Sequence, residues 1–249
     1  MPALYTDTMS APYPVAPSPQ FAGARARAAE YVTMPRRRGW YVGWGVMTFL
    51  CLAIAGYAFV LLAVPLARPP FIAQSPYPLA VLAHFVGGGG ALALGPWQFL
   101  TGARSRWRTW HRWAGRGYAL AVVVGGVAGL ILATKAQGGV AGRLGFGTLA
   151  VVWLSTLVMA VGHAWRGEIA VHRRWMVRNF ALTLAAVTLR FYIPGSMMMG
   201  IPFERAYVFI AWLCWVPNLV VVEWMVRRNQ RSGAARLGKL GVAEVARMR

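Results

Sequence analysis

Residues 40–64 read WYVGWGVMTFLCLAIAGYAFVLLAV, without one charged side chain in the run. A helix needs about 20 apolar residues to cross a hydrocarbon core about 30 Å thick. No water inside that core can meet backbone groups, so the run must be helical unless it is a strand of a closed barrel. A barrel strand alternates apolar and polar residues over about ten positions. Leu61-Leu62-Ala63-Val64 does not alternate. Five more blocks of the same kind follow, at Tyr77–Leu100, Gly117–Thr134, Phe146–Ala164, Asn179–Met199 and Ala206–Val226. The expected fold class is all-α, an integral membrane helix bundle with about six transmembrane helices over residues 39–228.

The gaps between blocks alternate in charge. Arg36, Arg37 and Arg38 precede the first block. Arg104, Arg106, Arg108, Arg112 and Arg116 fill the second gap, and Arg166, Arg173, Arg174 and Arg178 the fourth. Arg227, Arg228, Arg231, Arg236 and Lys239 follow the sixth block. The remaining gaps hold Arg68, Lys135, Arg143 and Arg205. Short loops rich in Lys and Arg stay in the cytoplasm, so both termini are expected there. This distribution also accounts for most of the net charge of +20. It follows membrane topology and does not gather on one groove-binding face, so no nucleic-acid partner is expected. The lipid bilayer is the expected partner, together with other membrane proteins.

Residues 1–38 hold six prolines with no helical period and read as a disordered cytoplasmic tail. Arg36–Arg38 before an apolar run resembles the start of a signal peptide, but the run is too long for one and reads as an uncleaved span. Residues 229–249 form a basic cytoplasmic tail. Leu237, Leu240, Val245 and Met248 fall near helical spacing there, which fits a surface-lying helix or a frayed end equally well.

The acids are few: Asp7, Glu30, Glu168, Glu204, Glu223 and Glu244. No chain of carboxylates crosses the spans as a proton or cation pump needs. No phosphate-binding loop, nucleophile elbow or zinc-protease motif is present. Glu223, with Arg227 at i+4, reads as an interfacial pair. Cys51 and Cys214 lie inside spans and have no metal-ligand spacing.

Histidine and arginine remain. His111 opens the third span in HRWAGRGYAL and His172 the fifth in HRRWMVRNFAL. The two segments read alike, which suggests a weak internal repeat. His163 ends the fourth span, so these three histidines gather at one membrane face. His84 stands apart, about 10 Å deep in the second span at 1.5 Å per residue. Imidazole is the commonest protein ligand for metals, and haem iron takes histidine as an axial ligand. The candidate metal ligands are His84, His111 and His172. Beside them Arg112, Arg116 and Arg178 would meet haem propionates, and Gly87, Gly88, Gly125, Gly126 and Gly129 would let a flat macrocycle approach. The plain alternative is that the same residues meet lipid phosphates and that Gly125-x-x-x-Gly129 packs helices. Arg190, deep in the fifth span, either snorkels or lines a pocket with His84, and Glu204 is its expected acidic partner.

Pro96-Trp97-Gln98-Phe99, then His111-Arg112 with Gly115 and Tyr118, then His172 with Trp175-Met176-x-Arg178 and Leu189-Arg190 before Pro194, together resemble a bacterial multi-pass family known as domain of unknown function 2306. The likeness covers roughly residues 40–225. It implies an integral protein of the inner membrane and implies no activity, substrate or cofactor. The positions that match the family's pattern are His84, Gln98, His111, Arg112, His172, Met176, Arg178 and Arg190.

Two functional readings stand. The first is a redox protein that holds haem b between histidines of adjacent helices, with His84, His111, His163, His172, Arg112, Arg116, Arg178 and Arg190 as the cofactor-binding set. The second is a non-redox protein: an anion or lipid carrier, or an assembly partner. It rests on the Arg-rich face, on Arg190, and on the kink-prone Pro96 and Pro217-Asn218. Whether the protein is an enzyme stays open at this stage.

Overall fold

Backbone groups inside lipid must pair within their own segment, and this chain pairs them in helices. The computed structural model describes residues 38–64, 66, 70–101 and 107–247. The helices are α1 (Arg38–Ala63), α2 (Pro70–Ala73), α3 (Pro78–Thr101), α4 (Arg108–Ala133), α5 (Gly139–Trp165), α6 (Ile169–Thr183), α7 (Ala185–Met198), α8 (Phe203–Leu213) and α9 (Val216–Arg247). No strand occurs among the described residues. Six stretches are long and apolar enough to cross a membrane: α1, α3, α4, α5, α6 with α7 (Ile169–Met198), and α8 with the first half of α9 (Phe203–Ser232).

The six apolar blocks and the six helical stretches correspond, but all stretches except the second start earlier than their blocks. α4 begins at Arg108 and not at Gly117, and the fifth stretch begins at Ile169 and not at Asn179. Hydropathy stops at the first charge. A helix does not, because Arg has good helical propensity and can carry its charge outward on a long stem. His111, Arg112, His172 and Arg178 are therefore helical residues and not loop residues.

Residues Met1–Tyr41 and Val42–Arg249 form separate units. Of the first, the opening turn of α1 is described, with Trp40 and Tyr41 edge to face at 5.0 Å. The tail expected over 1–38 otherwise lies outside the described residues, as do Arg68, Arg104 and Arg106. The stretch from 229 is helical as far as Arg247. The two readings of that tail turn on side chains beyond Ser232, which also lie outside the described residues.

Small residues set the packing of the second unit. A Cβ on Gly87 would stand 2.3 Å from the Gly125 nitrogen and 2.6 Å from the Ala121 carbonyl oxygen. The backbones of α3 and α4 thus touch where only glycine fits, as close-packed membrane helices require. Gly145 on α5 meets Ala211 of α8 in the same way, at 2.9 Å. α1 buries Thr48, Cys51, Ala55, Ala58 and Leu61, a stripe at helical spacing, and the Trp44 indole N–H donates to the Pro96 carbonyl of α3 at 2.9 Å. Large apolar side chains such as Phe49, Leu120 and Phe209 point outward, each about two-thirds exposed. An apolar surface of this kind suits lipid.

The fifth and sixth stretches are both interrupted, at Leu184 and at Cys214–Trp215. Pro217 has no N–H to continue the ladder, which accounts for the second interruption. Side chains take up carbonyls at both interruptions. Asn218 Nδ2 donates to the Cys214 carbonyl at 3.0 Å and to the Ala181 carbonyl at 3.3 Å, and the Thr188 hydroxyl also donates to the Cys214 carbonyl.

Candidate functional site

A cavity of about 490 Å³ lies among α3 to α8 and opens at the end of the bundle that carries the α4–α5 loop. Its mouth is lined by Gln74, Ser75, Lys135 and Gln137. Further in are His84 and Gly88 of α3, Gly125, Gly126 and Gly129 of α4, Phe146 and Trp153 of α5, Thr183 at the end of α6, Arg190 of α7, and Tyr207 of α8. A size of 300–1,000 Å³ with mostly apolar walls and a few polar groups is the usual form of a small-molecule site.

The two polar residues that sequence placed at similar depth, His84 and Arg190, are on this one cavity. His84 Nδ1 is 2.9 Å from the Gly125 carbonyl oxygen. A carbonyl can only accept, so Nδ1 carries the hydrogen and Nε2 keeps its lone pair when the ring is neutral. The Arg190 Nη1 donates to the Ala186 carbonyl at 2.9 Å, and its guanidinium carbon sits 5.6 Å from the centre of the Tyr57 ring. Its Nε is buried and makes no hydrogen bond. Glu204 does not pair with it: that side chain is exposed, and among the described residues no ion pair reaches Arg190. Glu204 lies at the start of α8, near the surface, and Arg190 is two turns below its own helix end, so the expected partnership fails on depth.

Below the cavity runs a closed ring of hydrogen bonds. The Trp153 indole N–H donates to the Thr183 hydroxyl at 3.0 Å, and that hydroxyl lies 2.8 Å from the Tyr118 hydroxyl. Tyr118 donates to Asn179 Oδ1 at 2.7 Å. Asn179 Nδ2 returns to the Trp153 carbonyl at 2.7 Å and to the Thr156 hydroxyl at 2.9 Å. The ring ties α4, α5 and α6 together at depth, and Asn179 is fully buried. Sequence reading named Tyr118 only within the family's pattern and gave the other four no role. Asn179 and Thr183, one turn apart inside an apolar block, were the available signal.

The other end carries the remaining candidates. His172 Nδ1 donates to the Ala160 carbonyl at 2.9 Å, so Nε2 is the nitrogen that keeps a lone pair when the ring is neutral. His111 is within electrostatic reach of His172 and Arg173. His163 is engaged elsewhere, 2.6 Å from Glu168. Arg112 and Arg116 are exposed, Arg116 stacking on Trp113 at 4.8 Å. Arg178 is not free for a propionate, because Glu223 holds it at 2.7 Å. Glu223 also binds Arg227 at 2.7 Å, the pair expected from the i+4 spacing. His84 lies in the opposite half, apart from His111 and His172. Among the described residues no group of three or more His, Cys, Asp or Glu could hold a metal ion. In the same half, both polar atoms of the Gln98 amide are buried without a hydrogen-bond partner.

No curated protein and no solved structure matches this chain. The family model described as predicted membrane protein (DUF2306) matches residues 81–226, the segment that holds α4 to α8, His84 and Arg190 of the cavity, and the hydrogen-bonded ring. That segment is more than half of the 249 residues, and the chain belongs to the DUF2306 family of predicted membrane proteins.

Proposed function

We propose that this protein binds a small anionic molecule in the cavity at Arg190, as a non-redox carrier or receptor of the inner membrane. In this reading its Arg-rich face and both termini are cytoplasmic, and the cavity opens on the outer side. One observation carries it: a guanidinium inside a membrane bundle, with no acid among the residues that line its cavity and with a buried nitrogen that makes no hydrogen bond. A charge at such depth costs at least about 2.5 kcal/mol unless it is relieved, and a ligand anion relieves it. Lys135 at the mouth adds charge of the same sign.

The test is thermal unfolding of purified protein in a neutral detergent, with sodium acetate and sodium benzoate titrated at constant ionic strength. A ligand at a hundred times its Kd stabilises by about 2.7 kcal/mol. The wild type should gain stability with at least one of the two carboxylates, and Arg190→Gln should not. An equal response in both proteins, or none in either, refutes the reading.

A second reading is favoured by the His111–His172 pair. His172 is oriented as metal-bound imidazoles usually are, its far nitrogen hydrogen-bonded to a carbonyl. In that reading His111 and His172 would hold haem b and Arg112 and Arg116 would meet its propionates; haem would supply one-electron chemistry. Protein from haem-supplemented cells would then show a Soret band and a reducible α-band, both lost in His111→Ala or His172→Ala. A colourless folded protein from such cells ends this reading.

A further inference from the structure

We infer that the ligand of the Arg190 cavity is a planar aromatic carboxylate. This rests on the anion-binding reading above and adds the shape of the molecule to its charge. A cavity of about 490 Å³ is far larger than a carboxylate group alone needs. The rest of the ligand must therefore fill apolar space, and three aromatic rings line that space. Phe146 and Tyr207 sit 5.3 Å apart, tilted at 45° to one another. Trp153 is held through its indole nitrogen by Thr183, which fixes the plane of its ring. Aromatic rings prefer offset or edge-on neighbours at centroid distances of 4.5–7 Å, and a ring in the ligand would complete such a set.

Glycine supplies the room. Gly125 and Gly126 are closed off, because an added Cβ would meet Gly88 backbone or Leu154 within 3 Å. Gly88 differs: a Cβ there meets nothing within 4 Å, although the residue lines the cavity. Its missing side chain leaves a bare surface on α3 with open space before it, one turn from His84. A planar body fits beside such a surface more readily than a puckered one.

The experiment compares benzoate with cyclohexanecarboxylate, which has the same carbon count and charge but a puckered ring, and with acetate. Apparent affinities are read from the shift of the unfolding midpoint in wild type, Arg190→Gln and Gly88→Leu. Ring contacts favour benzoate over cyclohexanecarboxylate by about three- to tenfold, with acetate weakest. Arg190→Gln should abolish the response to all three. Gly88→Leu should fold, as judged by helical circular dichroism, and should lose the benzoate response because its side chain occupies the ligand's space. Cyclohexanecarboxylate binding as tightly as benzoate, both depending on Arg190, overturns the planar ligand and leaves the anion site standing. A benzoate response unchanged in Gly88→Leu overturns the placement in this cavity. If no carboxylate depends on Arg190, the anion reading falls and this inference falls with it.

Discussion

Asn179 is the residue whose loss should cost this fold most for its size. Its side chain makes three hydrogen bonds, to the Tyr118 hydroxyl, the Trp153 carbonyl and the Thr156 hydroxyl. Side-chain hydrogen bonds between membrane helices average about 0.6 kcal/mol and reach about 1.7. Three of them come to about 2 kcal/mol. Asn179→Leu keeps the number and branching of side-chain heavy atoms and removes all three hydrogen bonds. The Tyr118 hydroxyl keeps the Thr183 hydroxyl at 2.8 Å as a partner, so the expected loss is about 2 kcal/mol. Tyr118→Phe should cost about 1 kcal/mol, since the Thr183 hydroxyl can turn to the Asn179 carbonyl at 3.2 Å. The two changes share one bond, so the double variant should be less damaged than the sum of the singles by about 0.6–1.7 kcal/mol. The assay is reversible unfolding in mixed micelles with increasing SDS, followed by circular dichroism. Asn179→Leu as stable as the wild type, or strict additivity in the double variant, would show that the ring is not a coupled unit.

Two further outcomes follow from the packing and the charge pattern. Gly87→Ala places a methyl against the backbone of α4 and should destabilise by about 1–3 kcal/mol, whereas Gly88→Ala, with open space before it, should leave the SDS midpoint unchanged or raise it. Reporter fusions after Gly138 and after Gly233 should report the outer compartment and the cytoplasm respectively, as expected from the basic residues that flank alternate gaps; the reverse pair would overturn the orientation.

The helices were legible in the sequence because lipid imposes one rule on every residue of a span. Apolar length alone decides that WYVGWGVMTFLCLAIAGYAFVLLAV crosses, and the repeated His-Arg motifs and the isolated Arg190 stood out against that background. Hydropathy says nothing of which face meets which neighbour. The depths of His84 and Arg190 suggested one pocket, but the fold decided that α3, α4 and the α6–α7 interruption bound a single cavity. It also decided that Glu204 stays away and that Arg178 goes to Glu223. The hydrogen-bonded ring was hidden for the same reason. Tyr118, Trp153, Thr156, Asn179 and Thr183 are ordinary residues in three separate blocks, and they meet only where α4, α5 and α6 pack together. Length and charge are sums along a chain and survive in the sequence. Contact between distant side chains depends on the rotation of each helix about its axis, which packing alone sets.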